Sequence, residues 1–225
     1  MIENISSYID YTVLKPDTGK EKIIQLCNGA RENNCASVCV NPYYVELAKS
    51  LLKETDVKVC SVVGFPLGAT FKETKAFEAN MAIADGADEI DMVINIGALK
   101  DKDFDIVKDD IMAVSKICKE NHILLKVIIE NCLLTDLEKE IATKIVAESG
   151  ADFVKTSTGF STSGATLEDV TLMKKTIDSI NSDIKIKAAG GIKDYKTACK
   201  MIEAGASRIG ASSLIKENEI KAEDY

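Results

Sequence analysis

Short apolar runs alternate along the chain with longer stretches in which apolar residues recur about every 3.6 positions. The runs cover residues 8–14, 36–40, 57–65, 89–95, 123–130, 152–157, 184–190 and 207–212. Each run is too short for a helix, and most are rich in Val and Ile, as buried strands are. The pattern therefore predicts eight β-strands that alternate with helices, which favours a parallel sheet.

Four of the intervening stretches carry one apolar stripe, which is typical of a helix that lies on a sheet. The stripes are Phe77, Met81 and Ala84; Phe104, Val107, Ile111, Val114 and Ile117; Leu137, Ile141 and Ile145; and Leu167, Val170, Met173 and Ile177. Thr135 with Glu138 and Thr166 with Asp169 fit capping boxes at two helix starts.

A six-residue repeat marks the start of three predicted strands. GADEID begins at Gly86, GADFVK at Gly150 and GASRIG at Gly205. In each copy we expect the glycine to end a helix in a left-handed conformation. The sixth positions are Asp91, Lys155 and Gly210, so these residues are expected at the same height on their strands.

Eight strand–helix units within 225 residues fit a compact (β/α)8 TIM barrel of the α/β class. No linker or shift of composition divides the chain, so residues 1–225 are expected to form a single domain. A doubly wound open sheet is the alternative, but the early G-x-G-x-x-G turn typical of it is missing. Residues 216–225, KENEIKAEDY, are expected to form a polar C-terminal tail.

Charge and composition exclude several classes of function. With 28 Lys and Arg against 36 Asp and Glu, the net charge of −8 argues against a nucleic-acid or membrane partner. A small anionic ligand is still possible, because backbone amides bind phosphate locally. We see no signal peptide or apolar span, and the 7 Cys are scattered without C-x-x-C, so reduced thiols in a cytoplasmic protein are expected.

The single histidine, His122, excludes a multi-histidine metal site and makes a His-based triad improbable. We expect it in a loop or at a strand edge. Proton chemistry, if the protein is an enzyme, must then come from Lys, Asp, Glu, Cys or Tyr.

Five of the charged residues inside the predicted strands stand out, because burial there is costly unless the charge is paired. They are Asp10, Asp91, Lys126, Lys155 and Lys187. Each alone could be a strand-end residue that reaches solvent, or part of a structural ion pair. Asp91, Lys155 and Lys187 all lie near C-terminal strand ends, which form the catalytic face of a barrel. Together they favour an active site.

Two lysines in one apolar, enclosed site disfavour each other's ammonium form, so one amine can be neutral at about pH 7. A neutral lysine attacks an aldehyde or ketone and forms a Schiff base. Asp91 could then move protons or orient a water. The sequence leaves open whether Lys155 or Lys187 is the nucleophile.

Loops rich in Gly and Ser follow the last three strands. Barrels frequently bind phosphate at the loops after strands seven and eight, near a helix N-terminus. Gly190–Gly191 and Ser212–Ser213 occupy those loops, with a helix expected to begin near Ser213. The alternative is a tight turn and a helix cap. Cys39 is expected either as an inert buried thiol or at the same mouth.

Six segments together resemble the deoxyribose-phosphate aldolase family, and the similarity extends through nearly the whole chain. They are VGFPLG (63–68), GADEIDMVINIGALK (86–100), LLKVIIE (124–130), VKTSTGF (154–160), IKAAGGI (186–192) and RIGASSL (208–214). The resemblance implies a class I lyase with a (β/α)8 fold and no metal or cofactor. Such enzymes reversibly cleave 2-deoxy-D-ribose 5-phosphate to D-glyceraldehyde 3-phosphate and acetaldehyde.

The resemblance also implies roles for individual residues. Lys155 would form the Schiff base, Lys187 would favour its neutral amine, and Asp91 would transfer protons. The phosphate would be bound by Gly159, Gly190, Gly191, Ser212 and Ser213, and the sugar end would lie near Asp10, Thr12 and Cys39. Family members are often dimeric and often end in a tyrosine that reaches the site, which makes Tyr225 a candidate.

The sequence departs from the family pattern at one position, and two other functions compete with the aldolase hypothesis. Bacterial members often read IDHT where this chain has IDYT, but strand alternation points Tyr11 away from Asp10. A phosphate-binding isomerase or synthase would share the loops without needing two strand-borne lysines. A non-catalytic sugar-phosphate-binding barrel is opposed by the intact set of Lys155, Lys187 and Asp91.

Overall fold

The computed structural model describes residues 4–215 and contains a closed parallel barrel in which each strand pairs with the next and β8 pairs with β1. The strands are β1 (Ile9–Thr12), β2 (Ser37–Val40), β3 (Lys58–Val63), β4 (Glu89–Val93), β5 (Leu124–Ile128), β6 (Phe153–Lys155), β7 (Lys185–Ala189) and β8 (Ala206–Ala211). The predicted (β/α)8 barrel is confirmed, and most of the predicted strands are present in slightly shorter form.

Helices cover the outside of the barrel. They are α1 (Lys20–Glu32), α2 (Val45–Leu52), α3 (Lys72–Ala84), α4 (Ile96–Lys100), α5 (Phe104–Glu120), α6 (Asp136–Glu148), α7 (Leu167–Ser179) and α8 (Tyr195–Glu203). The capping box of Thr135 and Glu138 at the start of α6 is confirmed. At α7, Thr166 accepts a hydrogen bond from the Asp169 amide, while the Asp169 carboxylate binds Lys139 at 2.6 Å.

Two of the four predicted stripes face the barrel, a third does so in part, and one does not. The stripes of α5 and α7 are confirmed, since most of their members are buried. The stripe of α3 is wrong, because Phe77 is 67% and Met81 is 46% exposed. This helix instead turns Lys75 and two alanines inward, and the partners that Lys75 finds inside fix its rotation.

The predicted stripe of α6 is wrong at its first position. Leu137 is exposed, and the buried residues of this helix include Ala142, Thr143 and Val146 together with the expected Ile145. Small side chains at two of these positions let the helix approach the sheet closely.

The glycines of the repeat do close helices as expected. Gly86, Gly150 and Gly205 have φ angles of 104°, 77° and 120°, which an L side chain rarely adopts. Asp91 and Lys155 are each the third residue of their strand. The repeat therefore places both side chains at comparable depth in the barrel wall.

Side chains alternate between the two faces of the barrel wall. The outer face packs on the helices; Tyr11 is an example, since it is 1% exposed and its ring lies against Gly29 of α1. This confirms that Tyr11 points away from Asp10. The inner face holds a small apolar cluster of Leu14, Cys39, Cys60 and Val62, and the rest of the interior near it is charged.

Three further features of the chain bear on function. His122 is exposed in the turn between α5 and β5, as expected for a loop residue. Within residues 4–215, no helix has both the length and the apolar composition that crossing a bilayer requires. The predicted tail, 216–225, and its candidate Tyr225 lie outside the described residues.

Candidate active site

Seven charged side chains meet inside the barrel. They are Asp10 (β1), Glu89 and Asp91 (β4), Lys126 (β5), Lys155 (β6), Lys187 (β7) and Arg208 (β8). All are buried except the Arg208 side chain, which is 14% exposed. The expectation of an apolar enclosure around the lysines is therefore wrong, because three carboxylates accompany the four cations.

Asp91 is the centre of this cluster. Its Oδ2 accepts hydrogen bonds from Lys155 Nζ at 2.6 Å and from Lys187 Nζ at 2.8 Å, and its Oδ1 accepts one from Lys126 Nζ at 2.8 Å. Burial alone would raise the pKa of Asp91, but the three ammonium groups outweigh it and hold that pKa well below its usual range. The carboxylate is therefore an anion that links the lysines.

Lys187 lies between two carboxylates. Its Nζ is 2.5 Å from Asp10 Oδ2 as well as 2.8 Å from Asp91 Oδ2. Burial would lower the pKa of Lys187, but Asp10 and Asp91 outweigh it and raise that pKa above its usual value. An amine held as ammonium has no lone pair for attack on a carbonyl. Lys155, which contacts Asp91, is the better placed of the two to act as a nucleophile.

The side of the cluster nearer the N-terminal strand ends consists of residues to which the sequence analysis gave no role. Lys126 Nζ lies 2.6 Å from Glu89, and Arg208 lies 2.8 Å from Glu89 and also binds Asp10. Burial lowers the pKa of Lys126, but Asp91 and Glu89 among its neighbours raise it well above normal. Glu89 and Arg208 could have been found by the signal that identified the others, since both are charged residues inside strands.

A thiol pair borders the cluster on one side. Cys60 Sγ donates to Asp91 Oδ1 at 3.2 Å, and Lys126 Nζ lies 3.3 Å from the same sulfur. Cys39 lies directly opposite Cys60 on the neighbouring strand, inside the barrel and fully buried. The structure therefore brings Cys39 to the cluster, and the sequence reading missed Cys60.

Thr12 lies two residues beyond Asp10 on β1, opposite Cys39 in the register of β1 and β2. Its hydroxyl donates to the Asp10 carbonyl at 2.8 Å, and the side chain is only partly buried. Asp10 itself is fully buried and bound to Lys187 and Arg208. Asp10 therefore lies deeper in the barrel, next to Lys187, while Thr12 lies at the C-terminal end of β1.

The ligand atoms of Cys39, Cys60 and Asp91 lie within 4.8 Å of one another, as a metal site would require. The electrostatics oppose this use, because Lys126, Lys155 and Lys187 already contact the Asp91 carboxylate. A divalent cation there would be repelled by three ammonium groups at close range. These residues do not fit a metal.

The glycines of the β6–α7 and β7–α8 loops lie at the barrel mouth. Gly159 and Gly191 have φ angles of 85° and 76°, and a Cβ at either would meet nothing within 4 Å. Gly190 packs against Gly164, and its carbonyl accepts from the Ala165 amide at 3.1 Å. Open space beside these backbones leaves room for a ligand.

Ser212 and Ser213 are exposed just after β8. The helix expected to begin near Ser213 is not seen up to Ile215, where the described chain ends, because residues 212–215 form bends. A helix N-terminus therefore cannot be counted among the donors that the described part of this loop offers. The hydroxyls and backbone amides of the two serines are what it provides.

Glu130 fixes the loop that follows Lys155. This residue has φ of 56° at the end of β5, and its carboxylate, 3% exposed, accepts from the Thr158 amide at 3.2 Å and from the Thr158 hydroxyl. The sequence analysis did not identify Glu130, because this residue is the last of a predicted strand run and does not interrupt its apolar pattern.

Comparison with known proteins gives the site a chemical context. The model of the DeoC/LacD family aldolases matches residues 5–217. The deoxyribose-phosphate aldolase of Clostridium tetani is 59% identical over 212 residues, which is 94% of this chain and 96% of that protein.

Solved structures of similar fold agree. The aldolase QR15 superposes with a TM-score of 0.88 and 43% identity, covering 95% of this chain and 93% of that one. A deoxyribose phosphate aldolase from Aeropyrum pernix, described as a unique tetramer, gives a TM-score of 0.86 at 31% identity over 93% of this chain and 87% of that one.

Proposed function

The chain belongs to the DeoC/LacD family of aldolases, and from this premise we propose that it reversibly cleaves 2-deoxy-D-ribose 5-phosphate through a Schiff base on Lys155. The products are D-glyceraldehyde 3-phosphate and acetaldehyde. One observation carries the proposal: Lys155 and Lys187 both contact the Asp91 Oδ2 atom, and two carboxylates hold Lys187 as an ammonium. Lys155 is thus the amine available to the substrate.

The reaction begins when the neutral Lys155 amine attacks the C1 aldehyde of the open-chain sugar, and loss of water gives an iminium ion. The iminium then accepts the electron pair of the C2–C3 bond as the C3 hydroxyl loses its proton. Glyceraldehyde 3-phosphate leaves, and an enamine remains on the lysine. Protonation of C2 and addition of water release acetaldehyde and restore the amine.

Asp91 and Lys187 have distinct roles in this scheme. The Asp91 anion accepts a hydrogen bond from the Lys155 nitrogen at 2.6 Å, so it can take up and return protons at that atom. Lys187, held as an ammonium by Asp10 and Asp91, contacts the same carboxylate oxygen and so competes with Lys155 for it. The pair thus supports both the nucleophile and its proton transfers.

We propose that Gly159, Gly190, Gly191, Ser212 and Ser213 bind the phosphate, with Thr12 and Cys39 beside the sugar. The chain carries a net charge of −8, so attraction must come from local donors such as the Ser hydroxyls and the loop amides. Ser213→Asp should weaken phosphate binding by about 2 kcal/mol, or about thirtyfold. Comparing kcat/KM for phosphorylated and plain deoxyribose tests this, with Ser50→Asp on α2 as the control.

Turnover of deoxyribose 5-phosphate by the purified protein, followed as acetaldehyde release, tests the activity. Lys155→Ala should lower it on the order of 10³-fold or more, as the removal of a covalent nucleophile does. Lys185→Ala is the matched control, because Lys185 is an exposed lysine at the start of β7. Equal turnover by both variants would reject Lys155 as the nucleophile and would favour an acid–base isomerase or synthase.

Two further expectations belong to this proposal. Seven free cysteines agree with a reducing cytoplasmic location. We expect a homodimer, which mass photometry of the purified protein would test against a monomer or a tetramer such as that described for the A. pernix relative.

A further inference from the structure

We propose that Cys39 and Cys60 form an oxidisable dithiol inside the barrel, and that a hydroperoxide converts it into a disulfide beside Asp91. The inference rests on the proposed function for the route by which the oxidant enters and for the effect of the disulfide on turnover. Formation of the disulfide itself can be measured without a substrate.

The two cysteines have the geometry that a disulfide needs. They are directly opposite in the parallel register of β2 and β3, and both side chains point into the barrel. Neighbouring strands lie about 4.8 Å apart, within the range of about 4.4–6.8 Å found between the Cα atoms of disulfides. The sulfurs already lie within 4.8 Å of each other.

The chemical state of Cys39 suits oxidation. The neighbouring Cys60 thiol lowers the pKa of Cys39, and its effect outweighs burial, which would raise that pKa. Burial raises the pKa of Cys27 and Cys118 to about 12. The thiolate is the form that reacts with peroxide, so among these buried cysteines Cys39 is the favoured one.

The charge of the surrounding cluster also favours a thiolate on Cys39. Asp10 and Asp91 hold Lys187 as an ammonium, and its positive charge favours the thiolate of Cys39. Cys60, which donates to Asp91 at 3.2 Å, is then the thiol that still carries a proton.

Burial of the thiols does not prevent the reaction. Lys155 is itself only 2% exposed, yet an aldehyde must reach it if the proposed function is right. Hydrogen peroxide is smaller than any such aldehyde. The route by which the substrate enters therefore also admits the oxidant.

The oxidation proceeds in two balanced steps. The Cys39 thiolate attacks one peroxide oxygen, the O–O bond breaks, and a sulfenic acid forms while the departing hydroxide takes a proton to become water. Cys60 sulfur then attacks the sulfenic sulfur, the S–O bond breaks, and the hydroxyl leaves with the Cys60 proton as a second water. The dithiol loses two electrons, and the peroxide is reduced to two waters.

The disulfide would alter the active site directly. Cys60 would no longer donate to Asp91 Oδ1, and the sulfur that lies 3.3 Å from Lys126 Nζ would be pulled toward Cys39. Asp91 holds Lys155 through its other oxygen, so its orientation would change. We therefore expect oxidation to lower turnover reversibly.

The test treats the reduced protein with hydrogen peroxide and then analyses it without reductant. We expect a protein mass lower by two hydrogens and a tryptic peptide pair that joins residues 32–49 to 59–72. Cys35 and Cys39 share the first peptide, because no Lys or Arg lies between Arg31 and Lys49, so fragment ions must place the link at Cys39. Turnover should fall at least tenfold and return with dithiothreitol.

Two variants complete the test. Cys60→Ser should give no linked peptide, and because it lacks the resolving thiol, its Cys39 sulfenic acid should be captured by dimedone added with the peroxide. Cys132→Ser, which removes a partly exposed thiol outside the barrel interior, should behave like the wild type. A link at another cysteine, no link where activity is lost, or no dimedone adduct on Cys39 in Cys60→Ser would overturn the proposal. Absence of turnover in the reduced protein would instead reject the proposed function.

Discussion

Buried lysines and aspartates occur in two regions of this molecule, one inside the barrel and one outside it. Outside, Lys75 on α3 lies 2.6 Å from Asp110 on α5, and its Nζ also donates to the Val93 carbonyl at 2.8 Å. The Lys75 side chain is as inaccessible to solvent as that of Lys187. Asp110 also accepts from the Asn95 amide at 3.1 Å, so the pair ties two helices to the end of β4.

The two regions differ in how many partners each charge has. In the outer pair, burial lowers the pKa of Lys75 and raises that of Asp110, so one salt bridge and one backbone hydrogen bond each are not enough to offset the loss of water. Inside the barrel, several partners keep the pKa of Asp91 low and that of Lys187 high. Multiple opposite charges are thus what lets a buried group remain ionised.

The comparison also suggests how a structural charge differs from a functional one. In the outer pair, one cation faces one carboxylate, and each also makes a hydrogen bond with a backbone group. The inner cluster has one basic side chain more than it has carboxylates. Lys155 lies at the edge of the cluster nearest the C-terminal strand ends, as the last residue of β6. This is the amine to which the proposed function assigns the covalent chemistry.

The largest difference should appear when each central aspartate loses its charge. Asp91→Asn should lower kcat/KM on the order of 10²–10⁴-fold, because it removes the group that we propose moves protons at Lys155. Asp110→Asn should change kcat/KM by a few-fold at most while lowering stability. Steady-state kinetics and urea unfolding of both variants test this prediction. Similar losses of kcat/KM in the two variants would contradict the distinction between a functional and a structural region.

A second contrast comes from the two lysines. Lys187→Leu should keep the fold, lower kcat on the order of 10²-fold or more, and move the remaining pH optimum upward, since a positive charge near Lys155 is lost. Lys75→Met should cost about 3–5 kcal/mol of stability, because Asp110 is left buried without its partner.

The pH–rate profile separates a functional from a structural Lys187. An unchanged profile in Lys187→Leu would show that this lysine only supports the barrel. For the outer pair, the double variant Lys75→Met with Asp110→Leu should recover much of the lost stability, since no unpaired charge remains.

The smallest effect should be opposite pH dependences of stability. Burial would raise the pKa of Asp10, but Lys187, Lys126 and Arg208 lower it. The stability that Asp10 contributes is therefore lost progressively as pH falls below the ordinary pKa of 3.8, and the loss ends only below the lowered folded value. The pKa of Asp110 is raised, so the folded state takes up that proton first, and stability from this group rises as pH falls.

Urea unfolding between about pH 7 and pH 3 measures these slopes. The stability deficit of Asp10→Asn relative to the wild type should shrink toward acid, and that of Asp110→Asn should grow. Parallel curves for the two variants would contradict the assignment of opposite shifts.

The sequence predicted the parts of this molecule that depend on local pattern. Strand runs, the Gly86, Gly150 and Gly205 helix ends and the order of strands were enough for the barrel. Charged residues inside strands pointed to Asp91, Lys155 and Lys187, because a strand residue in a closed barrel faces either the helices or the interior. The structure brings these three together.

Other features depend on contacts that pattern does not encode. Lys75 was missed because a lysine on a helix is normally solvent-exposed, and its burial turned Phe77 and Met81 outward. The carboxylates that share the interior could not be paired with particular lysines, since pairing depends on the shear of the barrel. Cys60 gave no signal, because a cysteine in an apolar strand is ordinarily inert.

Trapping the covalent intermediate tests the central claim most directly. The protein is incubated with acetaldehyde and sodium borohydride, and the modified residue is located by peptide mass spectrometry. We predict one ethyl group on Lys155, retained in Lys185→Ala and absent from Lys155→Ala. An adduct on Lys187 or Lys126, or full turnover with no adduct at all, would contradict the account.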